Sequence, residues 1–202
     1  MGQYFHPVVK IKNRIRVINP FDYDDGLKLM EHSFVGNPTV NAVIEHLTIY
    51  GPCRIAWVGD YSDTESLEKD GKYFLPRVFN DETKRKRVMD MWKKAWGEKA
   101  KEPFKVSVEH DYDYHHGDYY LFNLDRKEYI YVRKQEQGRL LTHPLAILTC
   151  SNPGSGGNYH PKNEKDENLM CSWCGDRIDF SWDPPYTGKW TEIPSDVFYD
   201  EN

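Results

Sequence analysis

The segment Trp57-Val58-Gly59-Asp60-Tyr61-Ser62-Asp63 returns 116 residues later as Trp173-Cys174-Gly175-Asp176-Arg177-Ile178-Asp179, keeping Trp-x-Gly-Asp-x-x-Asp. Three further echoes keep the same order. Arg14 to Ile18 is answered by Glu128 to Val132, Leu27 to Ser33 by Leu145 to Ser151, and Gly36-Asn37 by Gly157-Asn158, at offsets between 114 and 121 residues. Ordered echoes at a nearly constant offset mark an internally duplicated unit. The reading is one domain over residues 1–202, with like halves at 4–63 and 119–182 joined by a helical connection at 64–118. Short apolar strands also align by chance, and that alternative stays open here.

Local patterns give the elements. Residues 4–11 and 14–18 read as a hairpin through Lys12-Asn13, and 119–124 with 127–133 as another through Asp125-Arg126, because β-branched and aromatic residues crowd both flanks of short polar turns. Arg54 to Val58 and Arg177 to Trp182 read as further strands. Asn37-Pro38 caps a helix in which Val40, Val43, Ile44 and Leu47 share one face. A second helix spans Asn80 to Trp96, with Asp81 and Glu82 in its first turn, Lys93 and Lys94 in its last, and a solvated Lys84-Arg85-Lys86-Arg87 run. The fold class is therefore α+β, a mostly antiparallel sheet with two or three helices.

Composition narrows the partners. Aromatic residues make up 14% of the 202, too many for a disordered chain, and Tyr and Trp outnumber Phe by 20 to 9. A net charge of −5 argues against a general nucleic-acid coat and leaves room for a local basic site. With no apolar run of membrane-spanning length and no apolar leader core in residues 1–20, the expectation is a soluble, cytoplasmic protein.

A duplicated fold brings equivalent turns face to face, so the echoed turns are expected to line one cleft between the halves. The candidate ligand-binding residues are Asn37, Trp57, Asp60, Asn158, Tyr159, Trp173, Asp176 and Arg177. Trp57 and Trp173 offer rings for stacking, Asp60 and Asp176 accept from hydroxyls, the Asn37 turn abuts a helix start, and Arg177 offers a fork to phosphate. Together they suit a small phosphorylated, nucleotide-like ligand. The same residue types also serve structure, since an Asp after Gly closes turns and a Trp anchors cores.

Met1-Gly2-Gln3-Tyr4, Asp25 to Met30, Trp57 to Tyr61, the Tyr120 to Tyr129 hairpin, Gly156-Gly157-Asn158-Tyr159 and Ser172 to Ile178 together resemble a family of small bacterial and bacteriophage proteins whose activity is uncharacterised. The resemblance covers most of the chain outside about Thr64 to Gly117. It implies a grouping and no mechanism; its phage members suggest sequestration of a signalling nucleotide. Asn158 stands where that pattern has an acid, and Cys171 and Cys174 where it has small residues.

Cys171-Ser172-Trp173-Cys174-Gly175 has zinc-knuckle spacing, with Cys150 and either His160 or His143 to complete a tetrahedral set; zinc is thus a candidate cofactor, with a redox dithiol or plain buried thiols as alternatives. Glu109 to Asp118 concentrates four acids and three histidines, the basis for an alternative metal-assisted hydrolase. A third reading is a protein-interaction module that presents its Trp and Tyr surface without a pocket.

Overall fold

The computed structural model describes residues 3–12, 14–59, 118–134, 141–151, 159–161, 164–185 and 188–198. The chain opens with the hairpin of β1 (Phe5–Ile11) and β2 (Arg14–Val17). Two helices follow, α1 (Leu29–His32) and α2 (Pro38–Tyr50), and then β3 (Cys53–Gly59), which returns beside β1. The later part repeats this element order: hairpin β4 (Tyr119–Asn123) and β5 (Glu128–Val132), helices α3 (Pro144–Thr149) and α4 (Glu164–Leu169), and β6 (Arg177–Ser181) beside β4. A short last strand, β7 (Thr191–Ile193), adds in parallel to β5.

The strands form one seven-stranded sheet, β2-β1-β3-β6-β4-β5-β7, antiparallel except at its β5–β7 edge. This is the expected α+β architecture. Within β2 to β5 the order reads alike from either end, with the returning strands β3 and β6 paired at the centre. Both hairpin turns hold a lysine in the left-handed region, Lys12 at φ 53° and Lys127 at φ 60°.

Side chains at alternate strand positions divide the sheet into two faces. Phe5, Val9, Ile55, Trp57, Leu121, Ile130 and Val132 pack into one core beneath Val43, Ile44 and Leu47 of α2 and Leu145, Ile147 and Leu148 of α3. Both helices begin at a side-chain cap followed by proline. Asn37 Oδ1 accepts from Val40 N–H at 2.8 Å, and His143 Nδ1 accepts from Leu145 N–H at 3.1 Å. The helix expected over Asn80 to Trp96 and the acid- and histidine-rich stretch up to Gly117 lie outside the described residues.

The strongest sequence echo needs correction. Trp57 stands in the middle of β3, whereas Trp173 belongs to the turn that precedes β6. β3 ends at the glycine of its motif, and β6 begins only after the aspartate of the second copy. The two Trp-x-Gly-Asp segments therefore occupy different places in their halves.

Candidate functional site

The covered face uses its polar groups internally. Trp57 Nε1–H donates to His32 Nδ1 at 2.9 Å, and His32 Nε2–H donates to the Gly26 carbonyl at 2.8 Å. Burial lowers the His32 pKa, with nearby Asp25 opposing it, so the ring sits neutral with both nitrogens assigned. Asn37 is buried, and its amide donates to Asp25 Oδ2 and to the Glu31 carbonyl while its oxygen caps α2. Thr39 adds a third contact to that carboxylate at 2.6 Å. Tyr119 Oη meets His143 Nε2 at 2.6 Å, and complete burial pushes His143 down to about 3.

These contacts overturn much of the expected cleft. Trp57 and Trp173 are fully buried, so neither ring has a face to offer a ligand. Trp173 Nε1–H is taken by Glu128 at 2.8 Å. Asp176, 4% exposed, accepts from Asn123 Nδ2 at 2.9 Å and from Arg126 Nε at 3.1 Å. Asn37 is a cap and a network centre. Tyr159 is half-buried against the core, and Asp60 and Asn158 lie outside the described residues. Of the six candidate ligand-binding residues that are described, Arg177 is the one placed in an open hollow.

That hollow lies on the other face of the sheet. Lys10 of β1 is the register partner of Arg54 on β3, and Arg54 is the partner of Arg177 on β6. Residues in register point the same way, so three cations stand abreast over about 10 Å of sheet. With Lys12, Pro52 and Cys53 they line a cleft of about 230 Å³. Asp125, from the β4–β5 turn, bridges the arginines: Arg54 Nη1 lies 2.9 Å from Oδ2 and Arg177 Nε 2.7 Å from Oδ1. Burial pushes the Asp125 carboxyl up, but the Arg177 N–H, its guanidinium and Arg54 outweigh that and hold its pKa below the usual range. Among the described residues that line the cleft, Lys10, Lys12, Arg54 and Arg177 are cationic, and Asp125 pairs with the two arginines.

Beyond β6 the same face turns aromatic. Asp179, Phe122, Tyr129 and Glu192 are successive register partners across β6, β4, β5 and β7, and Ser181, Tyr120 and Tyr131 form the next row. Phe122 and Tyr129 stack with centroids 6.1 Å apart, and Trp190 meets Phe122 edge-on at 5.2 Å. Tyr120, Tyr129 and Tyr131 remain half-exposed. Half-burial raises the Asp179 pKa against the pull of the Phe180 N–H. A larger hollow, about 440 Å³, is lined by Glu164, Lys165, Asp196 and Val197, a set of mixed charge that includes none of the described candidate residues.

The expected zinc set does not assemble. Cys150 and Cys171 approach each other and Cys174 is buried, but His160 is exposed, and among the described residues no three His, Cys, Asp or Glu side chains converge as metal donors. The alternative donor His143 is committed to Tyr119 and Leu145. Sequence reasoning missed Lys10, Lys12, Arg54 and Asp125. Lys10 and Arg54 carried a weak signal as charges within apolar strands, but nothing local says which strands become neighbours. No family model, curated protein or solved structure matches the chain, and no helix among the described residues is long and apolar enough to cross a membrane.

Proposed function

We propose that the chain is a binding protein for a small phosphorylated, nucleotide-like ligand held in the basic cleft at the Lys10–Arg54–Arg177 row. The observation that carries this reading is the row Lys10–Arg54–Arg177 with Lys12 at its end, lining one cleft. Lys10, Arg54 and Arg177 bring two guanidinium forks and an ammonium to one cleft, and an anion laid there would meet all three. Arginine forks suit phosphate oxygens, and lysines add charge without fixed geometry. The adjoining Tyr120, Tyr129 and Tyr131 supply rings against which a planar base can lie. The site moves from the hollow expected between the tryptophans to the central strand pair, and Arg177 is common to both.

The matched element order of the two halves supports a duplicated origin, with the ligand at the seam between the copies. In a bacteriophage setting, binding without turnover amounts to sequestration of a signalling nucleotide. The aromatic rows also favour a second reading, a protein-interaction surface. The hydrolase reading rests on Glu109 to Asp118, a stretch that lies outside the described residues up to Gly117.

Titration calorimetry with inorganic pyrophosphate and with a nucleoside diphosphate at low salt tests the proposal. The nucleotide is expected to bind more tightly than pyrophosphate, and Arg54→Gln or Arg177→Gln to weaken both about 10-fold, or about 1.4 kcal/mol. Failure of both ligands to bind, or unchanged affinity in the double variant, overturns it.

A further inference from the structure

We infer that Cys150 and Cys171 form an oxidisable dithiol that closes to an intramolecular disulfide. Their Sγ atoms lie 3.3 Å apart in the core. The Cys150 thiol donates to the Ile147 carbonyl at 3.1 Å, which leaves its sulfur to accept from Cys171. Both cysteines are held to the same end of α3: Cys171 N–H donates to the Ile147 carbonyl at 3.0 Å, and Trp173 N–H to the Leu148 carbonyl at 2.7 Å. Backbone bonds thus fix the two thiols side by side, and bond formation requires an approach of roughly 1.3 Å. The pair links α3 to the turn before β6, instead of closing within the Cys-x-x-Cys spacing that the sequence offers.

The oxidant is hydrogen peroxide or a chemically similar two-electron acceptor. Cys171 is 5% exposed and Cys150 fully buried, so Cys171 reacts first. Its sulfur attacks one peroxide oxygen, the O–O bond breaks, and a sulfenic acid and one water result. Cys150 sulfur then attacks the sulfenic sulfur; the S–S bond forms and hydroxide leaves with the Cys150 proton as a second water. The two thiols lose two electrons and two protons, and the peroxide is reduced to two waters. Because the residues are 21 apart, the closed link restricts the unfolded chain and raises Tm.

Full-length protein treated with peroxide in excess is read by intact mass, by peptide mapping and by melting. The expected result is a loss of about 2 Da, a Cys150–Cys171 cross-linked peptide, and a Tm rise of about 5 °C that dithiothreitol reverses. Cys53→Ser and Cys174→Ser should keep the link, and Cys171→Ser should lose it. A link through Cys53, through Cys174 or between chains overturns the inference, as does persistence of both thiols at saturating peroxide. The wild-type peptide map decides the matter even if a cysteine variant fails to fold.

Discussion

On the covered face of the sheet, His32 gives and accepts one hydrogen bond each, the Asn37 side chain makes three hydrogen bonds, and His143 spends one nitrogen on a helix start and the other on Tyr119. On the opposite face, at its basic cleft, Lys10, Arg54 and Arg177 stand side by side, with Asp125 bridging two of them. The first arrangement satisfies both nitrogens of His32 and of His143 and both ends of the Asn37 amide, where an unmet buried polar group costs about 1–3 kcal/mol. The second gathers side chains of one sign around a bridging carboxylate at a cleft, where solvent screens their repulsion. Polar residues that hold the core turn inward to one another, whereas the charged row lines an accessible hollow.

If that contrast holds, breaking the covered face should have the largest effect. Trp57→Ala removes the largest ring of β3 and strips His32 of its N–H donor, with an expected loss of about 3–5 kcal/mol in urea unfolding. A loss under about 1 kcal/mol would mean that the ring is not a core anchor.

Acid should come next. His143 falls to about 3 and His6 to about 4, chiefly through burial, from the ordinary 6.5. The folded pKa is the lower one, so the unfolded chain binds more protons between these values and stability falls as pH drops below 6.5. The stabilising contribution is complete above 6.5 and is lost progressively down toward 3 to 4. About 2 kcal/mol per neutral buried histidine should disappear between pH 7 and pH 5, measured as unfolding midpoints across that range. A flat profile would break the claim that these rings are held neutral.

The basic row should give the smallest effect on stability. Lys10→Gln alters a partly exposed strand residue, so unfolding should change by less than about 0.5 kcal/mol. A loss above about 1 kcal/mol would make the row structural and erase the difference between the faces.

Most elements were legible because their signals are local. Polar pairs flanked by β-branched and aromatic residues marked both hairpins, and Asn37-Pro38 with its spaced aliphatics marked α2. α3 was only half-legible: Leu145 to Ser151 stood out as an echo, but six residues are too short for helical periodicity to be recognised, and Pro144 and His143 become cap signals only once the helix is known. The Trp-x-Gly-Asp pair misled for a physical reason. Glycine followed by aspartate suits a strand's end and a tight turn alike, and Gly175 takes φ 77° in such a turn.

The amino-acid sequence by itself determined the α+β class, the two hairpins and the capped helix, since each follows from residues within a few positions of one another. The tertiary structure alone decided that β3 and β6 meet at the centre of the sheet, which sets Lys10, Arg54 and Arg177 abreast and buries both tryptophans. Strand register between segments more than a hundred residues apart is chosen by how the whole core packs, and no local pattern carries that information.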